Sequence, residues 1–327
     1  MKKINFTEIA GFQTGQATDA ANGTGVTVIL SPAGATAGVD VRGGGPATRE
    51  TDLLDPKNMV QKINAVTLSG GSAFGLEASS GVMKYCREHG YGFGLKEFVV
   101  PIVCQASLFD LGCGSSQAYP DREMGYAACL DSEKNHFESG CFGAGTGASV
   151  GKALGFDKAT KSGQGTCAFE IGDLQVGAVV AVNACGDVFM PNSENRIAGI
   201  YDQATRSEIN TEDAILALAS SAINSTSENT TIACVITNAD LDQAQMTKLA
   251  GMAQNALART IRPVHTPSDG DTVFAMTSNQ VKAPIDVVAV MAIRALENAI
   301  IDAVESAQDQ YGLPCAKTVR ENRAEQK

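Results

Sequence analysis

One junction in the chain places a hydroxyl group where it can act as a nucleophile. The polar run Asn224–Asn229 ends directly at the β-branched run Thr230–Thr237, so Thr230 is predicted to open a buried strand. If the peptide bond before Thr230 is cut, its hydroxyl can attack a carbonyl while its own freed amine acts as general base. An ordinary strand start and a glycosylation sequon match the same residues, so the junction alone leaves these interpretations open.

Two further polar residues are of types that can assist such a nucleophile. Lys152 follows a glycine-rich stretch that lacks the Gly at 146 and the Ser or Thr at 153 that a P-loop needs. It is either a solvated loop charge or a fixed cation that tunes a nucleophile. Asn183 ends the apolar run Val176–Val182, which is predicted to be a buried strand. Its amide can donate to a developing oxyanion or complete a turn.

A serine follows another predicted strand at a sharp glycine turn. The run Ala65–Ser69, then Gly70-Gly71-Ser72 and a helical pattern, has the layout of a nucleophile elbow. That motif needs a glycine where Phe74 stands, so Ser72 is not expected to be the nucleophile. The start of the helix is expected to offer backbone N–H groups to a carboxylate or an oxyanion.

Two acids flank Gly270 just before the predicted strand Val273–Met276. Asp269 and Asp271 are either turn acids or a pair that faces one site from two sides. They do not form an EF-hand, because the further acidic ligands and the closing glutamate are absent. The sequence therefore predicts no metal and no other cofactor.

The elements that position these residues follow from periodicity and turn residues. Gly25–Leu30 and Gly34–Val41 are predicted to pair as a hairpin across Ser31-Pro32. The loop Arg42–Asp52 carries three glycines and four charged residues. The glycines either let the backbone approach a ligand or a neighbouring strand closely or form a turn with solvated charges, and the turn is favoured. Helices are predicted at Leu76–Cys86, Thr211–Ala219, Thr247–Ala258 and, closing the fold, Pro284–Gln308.

Composition limits the classes of function. With 327 residues, of which 44% are apolar, the chain can bury a large core as one sizeable domain or two small ones. Its net charge of -11 disfavours nucleic acid and anionic membranes as partners, which leaves a small molecule or peptide as substrate. The nine cysteines stand singly, without a zinc or redox motif, and no secretory or membrane segment is visible. We therefore expect a reduced, cytoplasmic protein.

Several segments together resemble the DmpA-type aminopeptidases. This family also contains β-peptidyl aminopeptidases and the endo-type nylon-oligomer hydrolases. The segments that carry the resemblance are Asp40–Gly44, Thr48–Asp52, Leu68–Leu76, Phe109–Gly112, Gly145–Ala148, Gly151-Lys152 and Val182-Asn183.

The resemblance implies a fold and a processing event. The expected fold is of the α/β (α+β) class, a four-layer αββα sandwich like that of N-terminal nucleophile hydrolases. The expected chain is one domain, 1–327, that cuts itself between Asn229 and Thr230. The pieces 1–229 and 230–327 would stay together and assemble into homo-oligomers.

The resemblance also implies roles for the site residues. Thr230 would be the nucleophile in self-cleavage and in turnover, Asn183 would donate to the oxyanion, and Lys152 would disfavour the protonated amine. The two acids Asp269 and Asp271 would orient the amine and the lysine. The residues expected to bind the substrate are Gly70, Gly71, Ser72 and Phe109, where relatives carry an active-site tyrosine at the last position.

The substrate and two alternative functions remain open. Asn before Thr230 and the stretch Ser268–Asp271 match the nylon-hydrolase form, whereas aminopeptidase relatives show Gly before Ser. An acetyltransferase of the ornithine-acetyltransferase type shares the architecture, but it places its threonine in an Ala-Thr-Met-Leu setting that is absent here. A glycine-rich ligand-binding protein with an intact junction is the non-enzymatic alternative.

Overall fold

The computed structural model describes residues 1–218 and 229–325. Its helices are α1 Ala78–Glu88, α2 Arg122–Ser132, α3 Thr211–Leu218, α4 Gln243–Thr260, α5 Ile285–Glu305 and α6 Ala316–Glu325. Its strands are β1 Lys2–Ile4, β2 Gln13–Asp19, β3 Thr24–Val41, β4 Ala47–Arg49, β5 Lys62–Ser69, β6 Phe93–Leu95, β7 Phe98–Val100, β8 Val103–Ser107, β9 Ser149–Val150, β10 Thr160–Lys161, β11 Gln164–Ile171, β12 Leu174–Asn183, β13 Asp187–Phe189, β14 Arg196–Ala198, β15 Ile200–Asp202, β16 Ser207–Ile209, β17 Thr230–Ala239, β18 Ile261–Arg262 and β19 Thr272–Val281.

One large sheet organises the described part of the chain. Its order is β1-β11-β12-β17-β19-β3-β5-β8-β4, and β2 pairs with β3 as a tenth strand. The pairs β17–β19 and β5–β8 are parallel, and the other pairs are antiparallel. The parallel pair β17–β19 lies near the middle of this order, where both strands have neighbours on each side.

The predicted hairpin at residues 25–41 is wrong, because these residues form the single strand β3. Its first part, Val26–Leu30, pairs with β5, and its last part, Thr36–Val41, pairs with β19. The register shifts between Leu30 and Ala35, where Gly34 has a φ of +77°. This is the place for a bulge: Pro32 cannot donate to a ladder, and glycine tolerates the positive φ. A bulge with Pro and Gly has the same sequence signature as a turn.

Three hydrophobic cores separate four layers. Helices α4 and α5 cover one face of β12, β17 and β19, and the other face of these strands packs toward β5 and β8. Helices α1 and α2 cover the outer side of β3 and β5. Alternate residues of β12, such as Val179 and Val180, enter different cores, as the period of a strand requires. The predicted mixed α/β sandwich in αββα order is confirmed, and strand β3 joins its two sheet layers.

The helices agree with the sequence pattern except at the end of the chain. Helix α4 begins with a capping box formed by Asp242 and Gln245, which extends it beyond the predicted Thr247–Ala258. Helix α5 matches the predicted closing helix, but α6 follows it and was missed. Helix α3 matches the prediction up to Leu218, while Ala219 and the predicted loop 224–228 lie outside the described residues. In the described part of the chain, no helix has the length and hydropathy needed to span a membrane.

Candidate active site

Thr230 is the first residue of β17, as the sequence predicts. In the antiparallel pairing of β12 with β17, it stands opposite Asn183, the last residue of β12. Both residues are buried. The strand ends therefore bring the predicted nucleophile and the predicted amide donor side by side.

The peptide bond before Thr230 is held from two directions. The Thr230 hydroxyl donates to the carbonyl oxygen of Asn229, the group that it would attack. The backbone N–H of Gly270 donates to the same oxygen at 2.9 Å. Asn229 also forms a parallel bridge with Asp269, in the register of the β17–β19 ladder and three residues before its first pair. The hydroxyl and the carbonyl of the candidate cleavage site are thus in contact inside the protein.

Lys152 is buried, so the interpretation as a solvated loop charge is wrong. Its ammonium donates to the Asn183 Oδ1 at 2.7 Å and to the Asn183 carbonyl oxygen at 3.0 Å. Burial lowers its pKa to about 7, and the nearby thiol of Cys185 and carboxylate of Asp269 offset this only in part. A lysine in this state loses its charge close to neutral pH.

The amide of Asn183 is fixed in one orientation. Its Oδ1 accepts from Lys152 and from the backbone N–H of Ser149 at 3.1 Å. Its Nδ2 donates to the carbonyl oxygen of Phe109 at 2.7 Å, which uses one of two amide hydrogens. Among the described residues the second hydrogen has no acceptor, so a satisfied strand end and an oxyanion donor are compatible here.

Both predicted acids are buried next to the junction. Asp271 accepts from the backbone N–H of Thr231 at 2.7 Å, one residue beyond the nucleophile. Asp269 accepts from the backbone N–H of Thr266 at 2.6 Å. Burial, followed by the like charge of Asp271, raises the pKa of Asp269. In the uncleaved chain the two acids therefore hold the backbone at Thr231 and in the loop that precedes Gly270.

The glycines of the loop at 42–52 serve a close approach between backbones. Gly43 donates to the Asp271 carbonyl at 3.3 Å, and Gly45 donates to the Asp269 carbonyl at 2.8 Å. A Cβ atom on Gly43 would lie 2.2 Å from the Asp269 carbonyl oxygen. Arg42, Glu50 and Asp52 are exposed, as predicted for solvated charges, while the glycines provide the close approach to the segment that carries both acids.

The N–H groups of the glycine turn at 70–72 are used within the protein, and the predicted binding of a carboxylate or oxyanion by the helix start that follows stays a prediction. Gly70 donates to Gly25, Gly71 donates to the Asp110 carboxylate at 2.7 Å, and Ser72 donates to the Leu108 carbonyl. Phe109 precedes Asp110 and is half-buried. The turn is thereby connected through Phe109 to Asn183, and the substrate contacts predicted for Gly70, Gly71, Ser72 and Phe109 stay predictions.

Sequence reasoning missed two groups beside the site. The Nδ1 atom of His265 lies 2.9 Å from the Asp271 Oδ2, and the His265 backbone N–H donates to the same oxygen at 3.0 Å. Asp110 is buried, accepts from Thr24 and Gly71, and has its pKa raised to about 6 by burial. The residue types were the available signal: a buried carboxylate such as Asp110 or Asp271 needs several hydrogen-bond donors, and a histidine such as His265 can be one of them.

Similarity to known proteins identifies the family. The family model described as Peptidase family S58 matches residues 5–323. The chain belongs to peptidase family S58. An uncharacterized aminopeptidase of Mycobacterium leprae is 38% identical over 348 residues, covering 95% of this chain and 92% of that protein. A 6-aminohexanoate-oligomer endohydrolase of Kocuria sp. is 32% identical over 281 residues, covering 85% and 76%.

The fold of this family S58 member also has a solved counterpart. The L-aminopeptidase D-Ala-esterase/amidase of Ochrobactrum anthropi, described as a variant of the Ntn hydrolase fold, matches with a TM-score of 0.69. At 18% identity the match covers 98% of this chain and 93% of the other. The predicted resemblance to DmpA-type enzymes is confirmed. As a family S58 peptidase, the protein is a hydrolase of peptide or amide bonds.

Proposed function

We propose that this family S58 chain is a self-processing amidohydrolase whose nucleophile is Thr230. One domain, 1–327, would be cut into the chains 1–229 and 230–327, which stay together. The observation that carries the proposal is the contact between the Thr230 hydroxyl and the Asn229 carbonyl at a buried strand start. The hydroxyl contacts the carbonyl of the peptide bond before Thr230, and cleavage of this bond frees the backbone amine of Thr230.

Self-cleavage takes two steps. The Thr230 Oγ attacks the Asn229 carbonyl carbon, the C–N bond breaks, and the hydroxyl proton passes to the departing nitrogen. The Asn229 acyl group is then an ester on Oγ. Water hydrolyses this ester, which leaves a carboxylate on Asn229 and a free amine and hydroxyl on Thr230.

Turnover uses the groups that cleavage creates. The Thr230 amine, whose ordinary pKa is about 7.7–8.0, accepts the hydroxyl proton as Oγ attacks a substrate amide. It returns this proton to the leaving nitrogen, and water releases the acyl group. Lys152 lies beside Asn183, and its charged form disfavours the protonated amine, while the Asn183 Nδ2 donates to the oxyanion. Asp269 and Asp271 orient the amine and the lysine.

The proposed substrates are small peptides or linear amides. Support comes from the relatives, which are named an aminopeptidase and a 6-aminohexanoate-oligomer endohydrolase. The Ser72 side chain and the half-buried ring of Phe109 are the proposed substrate contacts. A panel of aminoacyl p-nitroanilides, β-peptides and 6-aminohexanoate oligomers, assayed with purified protein, would rank these classes.

Two neighbouring threonines provide a matched test. Thr230→Val removes the proposed nucleophile, and Thr231→Val removes a buried hydroxyl that has no hydrogen-bond partner among the described residues. We expect Thr230→Val to stay one chain on denaturing gels and to be inactive, while Thr231→Val is cut and hydrolyses amides. Cleavage of the Thr230→Val chain at the same bond would contradict the proposal.

A cytoplasmic homo-oligomer is the proposed state. The nine cysteines are buried and none forms a disulfide in the described part of the chain, which fits a reducing compartment. The hairpin of β6 and β7 exposes four large apolar side chains, a pattern typical of an interaction surface: Phe93, Leu95, Phe98 and Val100. A second copy of the chain is the proposed partner of this hairpin.

A further inference from the structure

We propose that the backbone N–H of Gly270 is the oxyanion donor for self-cleavage, an inference that rests on the proposed function. The Gly270 nitrogen lies 2.9 Å from the Asn229 carbonyl oxygen, a good distance for an amide donor. When the Thr230 Oγ attacks the carbonyl carbon, negative charge develops on this oxygen. A donor already aimed at that position stabilises the transition state without reorganisation.

The residues beside Gly270 hold its N–H in place. The Asp269 carbonyl accepts from Gly45 at 2.8 Å, and the Asp271 carbonyl accepts from Arg42 at 2.9 Å. The Asp271 carboxylate is held in turn by His265. The Gly270 carbonyl itself accepts from the Thr272 hydroxyl at 2.9 Å. Both peptide units that include Gly270 therefore have fixed partners, which makes the N–H a preorganised group.

The absence of a side chain at position 270 is part of the arrangement. A Cβ atom there would lie 2.8 Å from the Thr230 Oγ and 3.1 Å from its Cγ2. Any other residue would press on the nucleophile, whereas glycine lets the backbone of residue 270 approach both the hydroxyl and the carbonyl that it attacks.

The same bond also continues the β17–β19 ladder, so the test must separate catalysis from structure. Replacing Gly270 by glycolic acid, through cell-free translation with a chemically acylated suppressor tRNA, exchanges one N–H for an ester oxygen and adds no side chain. The control places glycolic acid at Gly140, which removes a bond of 2.7 Å to the Gln164 carbonyl in another bridge and leaves the partners of residues 269–271 untouched. Radiolabelled chains are followed on denaturing gels over time, and resistance to trypsin checks that both have folded.

We expect the ester at 270 to slow self-cleavage by about 100- to 1,000-fold, as for other single oxyanion donors. The ester at 140 is expected to stay within about tenfold of the parent rate, because Gly140 makes none of the contacts that hold residues 269–271. Equal rates for the two esters, whether fast or slow, would overturn the role of Gly270 while leaving the proposed function intact. A parent chain that is not cut in the same reaction would overturn both.

Discussion

At the scale of single residues, Asn183 connects the buried cation to the candidate nucleophile. Asn183→Ala is expected to lower kcat for amide hydrolysis by about 100- to 1,000-fold, because the oxyanion loses a donor. The control is Asn238→Ala on β17, since Asn238 is also buried and hydrogen-bonded at both ends of its amide. That variant should lose about 1–3 kcal/mol of stability while keeping its kcat. Equal kcat values for the two variants would remove Asn183 from the mechanism.

The buried Lys152 makes stability depend on pH. Its pKa is about 7 in the folded chain and 10.5 as an ordinary lysine, so between these values the unfolded chain binds more protons. The contribution of Lys152 to the free energy of unfolding therefore increases as pH rises through this window. The test compares the free energies of unfolding of two uncut chains, Thr230→Val with Lys152 and Thr230→Val with Lys152→Met. From pH 7 to 9.5, the difference between these two free energies should change by roughly 3 kcal/mol in favour of the chain with lysine. Urea unfolding at the two pH values measures it, and an unchanged difference contradicts the burial of a titrating lysine.

The positions of single residues were predictable where an apolar run begins or ends beside them. Thr230 begins one apolar run and Asn183 follows another, so the sequence predicts that both lie at strand ends. The burial of Lys152 was not predictable, because its partners come from β12 and from the segment of Asp269, far along the chain. The role of His265 was likewise invisible, since its contact with Asp271 depends on the folded path of the loop between them.

At the scale of elements, the glycine loop after β3 sets the position of the segment with both acids. Gly43→Ala would place a Cβ atom 2.2 Å from the Asp269 backbone, so the segment must move and self-cleavage should slow by at least tenfold. Gly45→Ala is the control in the same loop, since its Cβ atom would meet nothing closer than 3.8 Å. Time courses on denaturing gels compare the two. A Gly43→Ala chain that is cut as fast as Gly45→Ala would show that the loop does not position the site.

The strands that carry the site residues and the long helices were predictable from the sequence, and two errors among the elements have physical causes. Strand β3 was taken for a hairpin because a bulge and a turn use the same Pro and Gly residues. Its continuity is decided by pairing with β5 and β19, which no local window contains. Helix α6 was missed because few of its residues are apolar; it buries mainly Ala316 and Val319.

At the scale of the whole molecule, an exposed apolar hairpin predicts assembly. Phe98 on β7 is 57% exposed, so Phe98→Asp should leave the fold intact while it weakens contact with a second copy. Light scattering after size-exclusion chromatography should show an oligomer for the parent and a smaller species for the variant. Met59→Asp, at a position 79% exposed outside the hairpin, is the control. A parent that elutes as a single protomer would contradict the proposed interface.

Self-cleavage before Thr230 leaves a polypeptide whose first residue is Thr230. N-terminal sequencing of a purified preparation, with amide hydrolysis assayed on the same sample, tests it directly. We expect two polypeptides, one of which begins Thr-Thr-Ile-Ala at residue 230. An active preparation with a single N-terminus would contradict it.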